Sequence, residues 1–194
     1  MPNAYISREN VHAWSRAVGE DPGEQAALHR VLKNQRRLSK FIEENAEDLG
    51  GQSGGVAMFL LGTIARLFDR VGGRMKSGTW EQVRTTQARV QAATMELLPL
   101  EGFAERARGV EWRAQPHILD EALMALFETE AADDVQEDLD PVEALKVYML
   151  LWVATEVLDQ NWRAPKNFDG ETEYTYVHID ASPDDADADA TVDE

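Results

Sequence analysis

The chain has 194 residues, 43% of them hydrophobic, with five Trp and no Cys, and this length fits one domain able to bury about 70% of its unfolded surface. Without Cys, disulfides, zinc–thiolate sites and cysteine nucleophiles are excluded. The formal net charge of −17 is unevenly placed: residues 1–113 hold 16 Lys and Arg against 14 Asp and Glu, whereas residues 114–194 hold 3 against 22.

The first ten residues, MPNAYISREN, have no basic flank followed by an apolar stretch. No export signal is read there, and the cytoplasm is the expected compartment. A first helix is predicted over about Arg8–Val18, with Val11, Trp14 and Val18 on one side. "DPGE" at 21–24 then opens a long helix: Asp21 accepts from free N–H groups, Pro22 occupies the first turn, and Glu24 is placed to reach back. Leu28, Val31, Gln35, Leu38, Ile42, Asn45 and Leu49 recur at spacings of three and four. The periodicity carries that helix to about Asp48, as a heptad-like seam interrupted by two amides.

"GQSGG" at 51–55 fits Gly-x-Ser-x-Gly, but a nucleophile elbow needs a strand running into it, and "IEENAEDLG" before it is a polar helix end. The expected role is a helix–helix link. From Gly55 to Val71 the stripe Val56, Phe59, Leu60, Ile64, Leu67, Phe68 and Val71 predicts a second long helix. A third starts at Ser77 or Thr79 and ends before Pro99. Shorter helices follow over Gly102–Trp112 and Pro116–Glu130.

"DPVE" at 140–143 repeats the earlier start signal and opens a helix to Trp162 in which Val147–Ala154 are eight apolar residues in a row. Eight residues cannot span a bilayer, which needs about 20, so no membrane insertion is expected. A helix apolar on every side belongs in the middle of a structure. Beyond it only "EYTYVHI" at 173–179 has the alternation of a strand. The expected fold is an all-α single-domain helical bundle, residues 1–162, of four long helices plus two or three shorter ones. An extended segment, 163–180, and a disordered acidic tail, 181–194, complete the chain.

Chemistry-bearing clusters are few. Histidine supplies one Glu9-x-x-His12 and the trio His117, Asp120 and Glu121. Neither makes the paired ligand set of a di-metal bundle, and no metal site or bound cofactor is expected. Helical spacing pairs Glu44 with Glu47, Glu130 with Asp133, and Glu156 with Asp159. Two such pairs could hold Mg²⁺ against a substrate phosphate, which gives the alternative of a Mg-dependent enzyme for phosphorylated or diphosphate substrates. Arg30, Lys33, Arg37 and Lys40 line one side of the first long helix, and a hairpin about Gly51 would bring Arg66, Arg70 and Arg74 alongside as one basic patch. A net charge of −17 repels a polyanion from a distance, so nucleic acid is not the expected partner; an acidic protein segment is. The leading reading is a non-catalytic helical interaction or assembly protein, with self-association as one form. A further alternative is an apolar-ligand cavity among Trp80, Trp112 and Trp152.

Overall fold

A computed structural model describes residues 3–46, 49, 51–128 and 139–178. Its elements run α1 (Arg8–Glu20), α2 (Pro22–Asn34), α3 (Arg36–Ala46), α4 (Gly51–Val71), β1 (Arg74–Met75), α5 (Trp80–Glu96), α6 (Phe103–Arg108), α7 (Pro116–Leu123), α8 (Pro141–Asn161) and β2 (Trp162–Arg163). The fold is all-α, with β1 and β2 forming one two-residue antiparallel ladder. Among the described residues no helix is long and apolar enough to cross a membrane. Residues 129–138 and 179–194 lie outside the described residues, and the expectation of a disordered tail over 181–194 lies there with them.

The start of α8 is as the sequence dictates: Asp140 accepts from the Val142 N–H at 2.8 Å and Pro141 fills the first turn. Leu150–Leu158 are buried without interruption, so the helix is enclosed on every side. It packs chiefly against α4 and α5, then α7 and α3. Fully covered Val, Leu and Phe side chains contribute about 1.5–3 kcal/mol each. Phe68, Leu61, Leu151, Val153 and Val157 belong to one continuous core.

Two loops close over this helix at glycines. Gly78 lies so near Val157 that a Cβ there would collide with it. Gly73, at φ +91°, sits against the Arg163 carbonyl where β1 meets β2. Trp162 follows α8 directly, donates from Nε1 to the Gly72 carbonyl at 2.8 Å, and meets Phe68 edge to face.

Three local expectations are corrected. The helix read as continuous from Pro22 to Asp48 breaks at Gln35, whose φ of −112° and ψ of 43° leave the helical region. The buried Gln35 side chain reaches out to the Lys76 carbonyl, and Ser39 Oγ donates to the freed Leu32 carbonyl. A buried amide needs a partner, and here meeting that need bends the seam. Second, α4 begins at Gly51 instead of Gly55, because Ser53 is buried and donates to Glu143 on α8 at 2.8 Å; the glycine-rich stretch is the first turn of the helix, not a link. Third, neither Glu24 nor Glu143 reaches back to its own helix start. Glu24 is taken by Arg66 and Arg70, and Glu143 by Ser53. The reciprocal cap occurs instead at Thr79 and Gln82. Residues 173–178 form neither helix nor strand, and Tyr174 and Tyr176 dock singly against Asp120 and Arg108.

Leu151→Ala, at a fully buried position of α8, is expected to cost about 2–5 kcal/mol in urea unfolding. A cost below about 1 kcal/mol would show that α8 is not the enclosed centre.

Candidate functional site

The helices place polar groups in three regions. The first is a buried seam where α7 and the loop before it meet α8. Arg113 Nη1 donates to Asp120 Oδ1 at 2.8 Å, with both side chains essentially inaccessible. Tyr174 donates its hydroxyl proton to Asp120 Oδ2 at 2.8 Å, and burial holds the phenol's pKa up at about 12. Arg108 binds both carboxylate oxygens of Glu128 at 2.7 Å and lies over the Tyr176 ring. His117 Nε2 meets Glu171 at 2.6 Å, and Arg8 Nε donates to the Val177 carbonyl. Residues 171–178 are therefore pinned across α7 and α1 by four side-chain contacts. The Tyr148 hydroxyl lies fully buried beside Arg113, and burial raises its pKa.

The seam continues along α8. Glu156 Oε1 accepts from the Ala114 N–H at 2.8 Å and from Trp152 Nε1 at 3.2 Å. Asp159 Oδ1 accepts from Gln115 Nε2 at 2.8 Å, while Asn3 donates to Asp159 as well. Burial is the main cause that raises the pKa of both carboxyls. Perturbed acids of this kind mark active sites in many enzymes, but here one oxygen of each, Glu156 Oε1 and Asp159 Oδ1, is engaged by N–H donors of the protein. Glu44 lies elsewhere, exposed on α3 and paired with Lys40 at 3.4 Å. Glu47, Glu130 and Asp133 lie outside the described residues. Glu44 and the buried Glu156 and Asp159 are thus not brought together, and no three His, Asp or Glu among the described residues are placed to share a metal ion. Trp112 stacks on Trp152 at 4.9 Å, with the Arg89 guanidinium 3.6 Å above Trp112, so the space between those two indoles is filled.

The second region is the basic surface, and it is divided. Arg66 and Arg70 turn to Glu24, at 2.8 and 3.1 Å, and Arg70 also lies over Trp14. Hydrogen bonding to Arg66 is the largest cause of the lowered Glu24 pKa. Arg37 donates to the Gly78 carbonyl, and Arg74 is in the β1–β2 ladder. Arg30, Lys33 and Lys40 remain exposed. With His29 and Arg36, which the sequence reading left out, Lys33 and Lys40 rim a groove of about 370 Å³ floored by Leu32 and Met58, with Ser39 and the carboxylate Glu43 also on its lining. Only a prediction of the bend at Gln35 could have placed Arg36 there.

The third region, a cleft of about 490 Å³ between α1, α4 and α7, also went unread. Its signal was a set of small residues, Ser15, Gly19, Ala122 and Ala125, on the facing sides of two helices.

Removing one partner of a buried ion pair strands the other, so Asp120→Ala is expected to cost about 3–5 kcal/mol, against about 1–3 kcal/mol for Tyr174→Phe. Equal losses in urea unfolding would refute that ordering. Glu156→Gln tests the pH linkage. The folded chain holds the Glu156 proton more tightly than the unfolded one, so stability falls as pH rises from the ordinary value of 4.5 through the raised one. A glutamine can keep both N–H donors on its oxygen without that loss. At pH 7 the variant is expected to be at least as stable as the parent, with its advantage vanishing below the ordinary carboxylate range. A clear destabilisation at pH 7 would contradict this.

No family model, curated protein or solved structure matches the chain.

Proposed function

We propose that this chain is a non-catalytic interaction domain whose groove between the α2–α3 bend and α4 takes an acidic, amphipathic segment of a protein partner, a second copy of the chain included. The observation that carries the reading is the pairing of an apolar floor, Leu32 and Met58, with a rim on which His29, Lys33, Arg36 and Lys40 outnumber the one carboxylate, Glu43. Among the described residues only Lys40 on that rim has a carboxylate partner, Glu44, and that pair is exposed. The bundle's other clusters of cations are committed: Arg66 and Arg70 to Glu24, Arg113 to Asp120, Arg8 to Glu121. Rim cations set the rate and specificity of association, while the apolar floor supplies desolvated contact. Nucleic acid fits less well, because the whole chain repels it at long range.

The test uses the full chain with its rim reversed, Lys33→Glu together with Arg36→Glu. The probe is a fluorescent helical peptide carrying Glu on one face and Leu on the other. Anisotropy is expected to show binding that weakens as salt rises and that drops by at least about tenfold in the double variant. Unchanged affinity in that variant, or tighter binding of a duplex DNA probe, refutes the reading.

A further inference from the structure

We infer that the cleft between α1, α4 and α7 binds a free amphiphilic monocarboxylate, with its apolar chain inside and its carboxylate at the His12–Arg16 edge. Protein interiors normally leave few voids larger than a water molecule, whereas this cleft of about 490 Å³ is within the range of ligand sites, about 300–1,000 Å³. Its openness has a sequence cause. Ser15 and Gly19 on α1 face Ala122 and Ala125 at the end of α7, so no large side chain fills the gap, and a Cβ added at Gly19 would meet nothing.

The walls divide into two kinds. Leu60, Ile64, Leu67, Ile118 and Ala122 make the interior, and Phe59 is left 43% exposed at its mouth. One edge is polar: His12, Arg16 and Glu121. Glu121 is already neutralised there, since it receives Arg8 Nη1 and also accepts from or shares a proton with His12 Nδ1 at 3.1 Å. That contact orients the imidazole and leaves its other nitrogen without a hydrogen bond among the described residues. Arg16 has only a loose, exposed contact to Glu20 at 3.6 Å. A cationic ligand would find no unmatched carboxylate at this edge, whereas an anionic head finds the Arg16 guanidinium, joined by His12 Nε2 as a second donor when the imidazole is protonated.

A second feature points to the same place. Directly after α7 the backbone passes into a π turn, Met124–Glu128, and Met124 and Ala125 from that turn face the cleft. Single π turns are frequent at functional sites. Arg8 reaches this turn as well, with Nη2 donating to Met124 Sδ.

The site is separate from the groove on α2 and α3, and its test is independent. Decanoate is titrated into the full chain by calorimetry, with decanol as the uncharged comparison. Saturable one-to-one decanoate binding is expected, with decanol at least tenfold weaker. Arg16→Gln is expected to weaken decanoate severalfold and leave decanol unchanged. Gly19→Leu, which fills open space at a helical position, is expected to abolish binding of both while the melting temperature holds. Absence of decanoate binding at millimolar concentration overturns the proposal. So does binding indifferent to Gly19→Leu, which would place the ligand elsewhere, or equal affinity for decanol, which would remove the anionic head from the recognition.

Discussion

A helix that is apolar around its whole circumference must be wrapped, and α8 imposes this on everything near it. The amphipathic helices α4 and α5 cover it most extensively, α7 and α3 add to the cover, and the loop at Gly78 presses on Val157. The same enclosure creates the polar seam. Thr155, Glu156 and Asp159 lie on the buried helix and must be supplied with partners from the protein. Thr155 turns its proton back to the Leu151 carbonyl at 2.8 Å. Glu156 draws in the Ala114 N–H, and Asp159 draws in Gln115 and Asn3. Gln115 in turn accepts from the Ile6 N–H. Satisfying the acids of α8 therefore stitches the N-terminal segment and the start of α7 into the domain.

Arginine–carboxylate pairs then choose among ways of wrapping. Hydrophobic burial is nearly indifferent to small shifts of one helix along another, but a buried ion pair is not, because an unpaired buried charge is far more costly than the pair. Glu24 on α2 gathers Arg66 and Arg70 from α4; Glu121 on α7 gathers Arg8 from α1; Asp120 gathers Arg113. The first two tie helix to helix, and the third ties α7 to the loop before it. Residues 171–178 use the same currency: Glu171, Tyr174 and Tyr176 each meet a His or Arg of the bundle. An alternating sequence that would suit a strand instead supplies side chains that dock singly.

Periodicity and capping residues made α1, α4, α5 and α8 legible, since these follow from local chemistry. The eight-residue apolar run was enough to place α8 at the centre, because no other environment suits it. What escaped was set by tertiary partners. Gln35 was visible as an amide in an apolar seam, yet its break depends on the Lys76 carbonyl, 41 residues away. Glu24 and Glu143 carried the spacing of a capping box, and charged or buried partners outbid the backbone for both. Arg66 and Arg70 have the spacing of a surface patch, but only the packing of α2 on α4 shows Glu24 beneath them. The ligand cleft was hardest to foresee, since it arises where small residues on two distant helices face each other.

The charge distribution brings these strands together. All 19 Lys and Arg lie among the described residues, with 22 of the 36 Asp and Glu; the other 14 acids fall in residues 47–48, 129–138 and 179–194. The described residues are thus close to neutral, and the excess that makes the chain strongly acidic lies in those three stretches. At the proposed groove an acidic partner must offer apolar contacts to Leu32 and Met58 as well as charge. The cleft by α1, the proposed amphiphile site, has the opposite balance, with a mostly apolar interior and one polar edge of His12, Arg16 and Glu121. Two openings on one small bundle thus present different chemistry.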